Sequence, residues 1–312
     1  MALLFIVAPL HSQPPPSTAP PAEDITPTFK TGVADVRVDV QVTQGNKIVR
    51  NLKKEDFAVS DNGQSKDVVY FAHGDEPLSI VLLLDVSGSM QRWLNQIAAT
   101  AREALNQLRP GDKVAVMVFG KTSDVHQDFS DNLAESARQI GKAIHDHDVG
   151  AGTAINQSII DAAKFMDAHA DPLGRRAILI LTDNLSISVK VPDEKVIRAL
   201  DDANTVLNAI VVGRGIRPDP TKDPGRSNPE LTPADVFKLA EQTGGLAVKA
   251  ERADSSFRDM IDRIRSRYTL AYHLPEDAQP GSFRQIQAAL TTDARRFYPA
   301  AELHARTGYF VK

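Results

Sequence analysis

The sequence predicts an α/β fold: a doubly wound, mostly parallel sheet, with an all-β region on each side of it. Three observations carry that prediction. Continuous apolar runs such as "SIVLLLD" and "AILILT" read as strands buried on both faces. Segments with apolar residues at helical spacing lie between these runs. Outside about 78–266 the pattern changes to alternation, the mark of half-buried strands.

The elements follow in order. Val36, Val38, Val40 and Val42 share one face of a strand, and "QGNKIV" supplies a turn and a second short strand. "DFAVSDNGQSKDVVYFA" reads as a hairpin about Asp-Asn-Gly, completing an N-terminal β region over 30–76. The α/β part, 77–266, opens with "SIVLLLD". Its first helix carries Leu94, Ile97, Ala101, Leu105 and Leu108 and stops at Pro110-Gly111. "KVAVMVFG" is a strand, followed by a helix with Leu133, Ala137, Ile140 and Ile144 on one side and by the helix "AINQSIIDAAKFMDAH". "RRAILILTDN" is a strand, "DEKVIRALDDAN" a helix, "TVLNAIVVG" a strand, and about 214–231 a Pro-rich loop. "TPADVFKLAEQTGG" reads as a helix with Thr232 at the N-cap and Pro233 at the first helical position. "LAVKA" and "SSFRDMIDRIRSR" give a last strand and helix, with Arg263, Arg265 and Arg267 expected on solvated faces. In the C-terminal β region, 267–312, Tyr268, Leu270, Tyr272 and Leu274 alternate, and "FRQIQAAL" and "YFVK" add strands. Either β region alone is too small to be stable, so the two are expected to pair into one small sandwich with the α/β part inserted between them.

The chain has 312 residues and is 42% hydrophobic, enough for a large core and about two domains. A net charge of -4 argues against a nucleic-acid binder. The absence of cysteine excludes disulfides, thiolate nucleophiles and cysteine metal sites. "ALLFIVAPL" is too short to span a bilayer and suits a secretory signal peptide over 1–12, although no Lys or Arg precedes it. A Pro/Ser-rich linker follows over 13–29. The expected location is therefore secreted, periplasmic or at the cell envelope. No other segment approaches a membrane span.

"LLLDVSGSMQ" places Asp85, Ser87 and Ser89 at the carboxyl end of a buried strand, where open α/β sheets bind ligands. Asp183 ends another buried strand, and Thr153 sits in a glycine-bearing loop directly before a helix. Two carboxylates and three hydroxyls on one rim form a hard oxygen set that suits Mg²⁺, and Mn²⁺ as well. The lack of His and Cys in the set disfavours zinc. Mostly neutral ligands leave net positive charge on the ion, so an open position could accept a carboxylate from outside.

This combination resembles the von Willebrand factor type A (VWA) domain and its metal-ion-dependent adhesion site: D-x-S-x-S, then a Thr in a Gly-rich loop, then an Asp in a T-D-G-like turn. Asp85, Ser87, Ser89, Thr153 and Asp183 match those positions, and Asn184 replaces the glycine. The resemblance covers about 78–266 and implies a Rossmann-like fold. It also implies a non-enzymatic binding or adhesion module in which Mg²⁺ receives a Glu or Asp of a protein partner. The flanks, with "NLKKEDFAVSDNGQ", "LAEQTGGLAV", "RIRSRYTLAYHLP" and "TGYFVK", resemble the VWFA-related family described from acidobacteria, whose members typically carry a signal peptide. A second reading makes the chain a scaffold component of an envelope assembly, with a purely structural metal.

Other chemistries fit less well. A HAD-type phosphatase needs a second Asp where Ser87 stands, and a serine hydrolase needs G-x-S-x-G, whereas Ser87 lies in D-V-S-G-S. Gly213 and Gly215 precede proline rather than a helix and read as loop formers. "HDHD" at 145–148 reads as a solvated helix end that can edge the binding face, and Trp93 as a partly buried residue just after the metal loop.

Overall fold

The computed structural model describes residues 35–312 except 46, 147, 187–190, 214, 216 and 218–231. The expected signal peptide and linker, His147 and most of the Pro-rich loop lie outside the described residues.

The N-terminal flank contributes β1 (Asp35–Gln44), β2 (Lys47–Ile48), β3 (Phe57–Asp61), β4 (Gln64–Lys66) and β5 (Tyr70–His73). The α/β part runs β6 (Leu78–Asp85), α1 (Gln91–Leu105), β7 (Lys113–Phe119), β8 (Ser123–Ser130), α2 (Leu133–Ala143), α3 (Ile155–His169), β9 (Arg175–Thr182), β10 (Leu185–Ser186) and α4 (Asp193–Asp202). It continues through β11 (Val206–Val211), β12 (Thr232–Pro233), α5 (Val236–Gln242), β13 (Ala247–Lys249) and α6 (Ala253–Arg265). The C-terminal flank adds β14 (Tyr268–His273), β15 (Phe283–Leu290), α7 (Thr292–Phe297), β16 (Ala301–His304) and β17 (Gly308–Phe310).

The central sheet has the order β13-β11-β9-β6-β7-β8. Its neighbours are parallel except β7 and β8, which are antiparallel. Strand β6 shows why the run 78–84 is apolar throughout. Leu78, Ile80, Leu82 and Leu84 pack against α1, α2 and α6 on one face, while Val81 and Leu83 pack against α3, α4 and α5 on the other. A strand with helices on both sides has no wet face, so alternation disappears. The pattern did not anticipate β8. Its sequence, SDVHQDFS, is polar and half-exposed, and an edge strand needs only one neighbour.

The flanks pair as the alternating patterns predict. One sheet runs β16-β1-β14-β5, with β2 on β1, and the other runs β17-β15-β3-β4, so each sheet holds strands from both ends of the chain. Between them lie Val36, Val38, Val40, Phe57, Tyr268, Leu270, Tyr272 and Ile286. The chain leaves this module through β5 and returns through β14, and these two strands are hydrogen-bonded neighbours with His73 opposite Tyr268. Asp61 is completely buried in the module. It accepts bonds from Arg284 Nε at 2.6 Å and from the Tyr272 and Tyr309 hydroxyls at 2.8 Å each. Burial alone would raise its carboxyl, but these donors hold it below its ordinary value.

Two expectations are corrected. The cap of α5 is Asp235, whose side chain accepts from Lys238 N at 3.0 Å. Thr232 and Pro233 instead pair with β10, which keeps Thr232 out of the cap position. Arg265 and Arg267 are buried, at 5% and 2% exposure, because the β module packs against the end of α6. Arg265 pairs with Asp112 at 3.0 Å and donates to Gly74 O at 2.6 Å, and Arg267 donates to Gly244 O at 2.6 Å. Arg175 completes the junction by donating to the carbonyls of Ile264 and Arg265, which the helix end leaves without backbone partners.

Candidate metal centre

Strands β6 and β9 end side by side at the carboxyl edge of the sheet. Asp85 is the last residue of β6. Ser87 starts a 3-10 turn, Gly88–Met90, which leads straight into α1. Met90 is fully buried and fastens the turn to the core, leaving Ser89 exposed above it. Hydrophobic anchoring at one end of a short loop thus presents hydroxyls at the other.

The loop carrying Thr153 is strapped to the end of β7. Thr122 N donates to Val149 O at 3.0 Å, and Ala154 N donates to Gly120 O at 2.8 Å. The approach is so close that a Cβ on Gly120 would lie 2.5 Å from Gly150 O, so only glycine fits there. Gly152 takes φ 139°, a conformation side chains disfavour, and the next residue, Thr153, is 3% exposed. Ser186 Oγ donates to Thr153 O at 2.9 Å and links this loop to the β9–β10 turn.

That turn carries Asp183. Asn184 has φ 60°, the left-handed region that glycine and asparagine tolerate best, which explains how asparagine serves where a T-D-G-like turn has glycine. Ser89 Oγ donates to Asp183 Oδ2 at 2.7 Å, and the Ser87 and Ser89 hydroxyl oxygens are 3.3 Å apart. Beneath them, Asp85 Oδ1 accepts Ser87 N–H at 3.1 Å, and Asp85 Oδ2 accepts the Thr182 hydroxyl at 2.7 Å. Thr182 is a contributor the sequence reading missed. It adjoins Asp183 in "LTDN", but nothing in the pattern shows that it turns inward to Asp85.

All five expected residues therefore converge. Ser87, Ser89, Thr153 and Asp183 line a cavity of about 550 Å³, with Val86, Val149, Leu185 and Asp146 around them, and Asp85 lies below. Asp146 belongs to the HDHD segment, which was expected as a solvated helix end able to edge the binding face. Trp93 is partly buried near this edge, its indole Nε1 being 3.5 Å from where a Cβ on Gly213 would sit.

The electrostatics fit a cation. Asp85 and Asp183 are 0% and 5% exposed, and among the described residues no lysine or arginine forms an ion pair with either. Burial, with a smaller push from the Asp183 charge, raises the Asp85 carboxyl to about 7. Paired buried carboxylates are ordinarily balanced by a guanidinium, an ammonium or a metal ion. The donors here are carboxylate and hydroxyl oxygens, the hard set that suits Mg²⁺.

Residues 80–185 match the family model of the von Willebrand factor type A domain. This stretch is a VWA domain. Part of the chain is similar to an aerotolerance-related membrane protein from Bacteroides fragilis, with 17% identity over 60% of this chain and 98% of that one and a TM-score of 0.45. It is also similar to a von Willebrand factor type A protein from Catenulispora acidiphila, with 13% identity over 84% and 71% of the two chains and a TM-score of 0.47. A third is proximal thread matrix protein 1 from the mussel byssus, solved with zinc in its metal-ion-dependent adhesion motif, with 15% identity over 62% and 49% and a TM-score of 0.47. No curated protein matches the chain.

Proposed function

We propose that the VWA domain holds Mg²⁺, or Mn²⁺ in its place, at Asp85, Ser87, Ser89, Thr153 and Asp183 and uses it to capture a Glu or Asp side chain of a protein partner. The observation that carries this reading is the pair of buried carboxylates that, among the described residues, have no basic counter-charge, beside a ring of hydroxyls in an open cavity. An ion there neutralises the carboxylates. Because the other ligands are neutral hydroxyls, no further negative charge surrounds the ion, and an open coordination position can accept an incoming carboxylate through a short, charge-assisted contact. Leu185, half-buried in the cavity wall, supplies apolar contact for the rest of the partner.

The proposed chemistry is binding without turnover, since every member of the set is a ligand and none is left over as a general base. The proposed location is outside the cytoplasm, resting on the apolar run near residue 1. Among the described residues no helix is long and apolar enough to cross a membrane. Membership of the whole chain in the acidobacterial VWFA-related family is likewise a reading of its flank motifs.

Calorimetric titration with Mg²⁺ and Mn²⁺, alongside Asp183→Ala, tests the site. Saturable one-to-one binding that the variant loses is the expected result, and absence of binding by the wild type overturns it. If EDTA lowers the melting temperature but leaves partner capture unchanged, the metal is structural and the scaffold reading replaces this one.

A further inference from the structure

The turn after α2 and the edge strand β8 bring together a second group of metal-ligating side chains. Asp124 and His126 are two residues apart on β8, with His126 at the register shift opposite Val116 and Met117. Asp146 reaches them from the turn, with its Oδ2 2.6 Å from His126 Nε2. One ligand atom from each of the three lies within 4.8 Å of the others. His126 and Asp146 are largely buried, at 22% and 11% side-chain exposure, while Asp124 faces solvent. The remaining oxygen of Asp146, Oδ1, accepts Asp148 N–H at 2.7 Å, which fixes the orientation of the carboxylate.

We propose that Asp124, His126 and Asp146 bind a divalent ion of the zinc class, at a site separate from the hydroxyl-rich one. Two carboxylates and a neutral imidazole match the charge of a divalent cation. The imidazole decides which ion: nitrogen ligands suit Zn²⁺ and Co²⁺, whereas Mg²⁺ takes oxygen. Three protein ligands leave the remaining coordination position to water. His126 ligates through Nε2 in the tautomer that carries its proton on Nδ1, and any second proton on the ring goes to solvent. Asp146 also lines the cavity of the first site, so an ion here changes the charge at that cavity's edge from negative toward neutral.

The full chain carrying Asp183→Ala tests this site with the oxygen site disabled, so failure of the proposed Mg²⁺ function leaves the result readable. Expected are one saturable equivalent of Zn²⁺ by calorimetry and visible Co²⁺ absorption bands. Both are lost when His126→Ala or His126→Gln is added. The glutamine variant retains a hydrogen-bonding side chain, and circular dichroism checks its fold. In the wild type the same equivalent survives saturating Mg²⁺. Absence of a Zn²⁺ equivalent in both the wild type and the Asp183→Ala chain overturns the proposal and leaves His126 and Asp146 as a hydrogen-bonded pair only. Persistence of the equivalent without His126 also overturns it.

Discussion

Ser89 donates its hydroxyl hydrogen to Asp183 across 2.7 Å, joining two loops 94 residues apart in sequence. The contact sets the distance between the D-x-S-x-S loop and the turn that carries Asp183. Ser89→Ala removes one proposed ligand and the tether of another. Mg²⁺ affinity is expected to fall by roughly 10- to 100-fold or more, as when supporting contacts of metal ligands are removed. Ser89 is exposed, so the melting temperature in EDTA is expected to stay within a few degrees of wild type. Calorimetry and thermal melts give the two readings.

Asp85→Asn separates the metal requirement from the fold. The carboxylate is fully buried, and burial pushes it up to about 7. A neutral amide of the same shape still accepts Ser87 N–H and can donate to the Thr182 hydroxyl. In EDTA the variant is expected to be at least as stable as wild type, with a gain of a few kcal/mol at most, since one pKa unit is about 1.4 kcal/mol. Added Mg²⁺ should stabilise only the wild type, by about 2.7 kcal/mol at one hundred times the dissociation constant. Paired melts with EDTA and Mg²⁺ check whether the order of stability reverses.

Asp61 makes the β module acid-sensitive. Burial opposes ionisation, but Tyr272, Arg284 and Tyr309 hold the carboxyl below its ordinary 3.8 in the folded protein. A lowered folded pKa contributes stability above the unfolded value, and that contribution fades as pH falls through 3.8 toward the folded value. Asp61→Asn is expected to destabilise by about 3 kcal/mol at neutral pH, because it leaves the buried Arg284 with only the exposed carboxylate of Asp277 as a partner. The gap between variant and wild type narrows below about pH 4. Denaturant titrations at pH 7 and pH 3 check it.

Arg265 and Arg258 lie on the same helix, and their ion pairs differ in worth. The Arg265–Asp112 pair is 6% and 1% exposed, whereas the Arg258–Glu103 pair is 48% and 67% exposed. Arg265→Ala is expected to destabilise by about 3–5 kcal/mol. Arg258→Ala should change stability by no more than about 1 kcal/mol. Urea unfolding of the two variants gives the comparison.

The sheet centre was legible because a strand covered on both faces must be apolar throughout, as Ile80 to Leu84 are. The five oxygen-bearing residues were legible because ligands gather where such strands end. Strand β8 was not, since its polar residues follow no strict period and its pairing with β7 carries register shifts. His126 was hidden for the same reason, and although the HDHD run marked Asp146 near the binding face, only folding brings that turn to the β8 edge. Arg265 and Arg267 look like solvent residues until the β module is seen to pack over the helix end. Thr232 and Asp235 are both good cap residues, and a tertiary contact, the pairing with β10, chose between them.

The pairing of β1 with β14 and β16 has a kinetic consequence. Val36, Val38, Val40 and Val42 are synthesised before the VWA domain, and their partner strands after it. Bridging so long a loop in an unfolded chain is entropically unfavourable, and folding of the intervening domain first shortens it by bringing His73 and Tyr268 together. Until then β1 is a valine-rich strand with both edges open, ready to pair with another copy. Slow, aggregation-prone steps of folding are therefore expected in the flanks, with yield depending on how soon the last 45 or so residues close over the first strands.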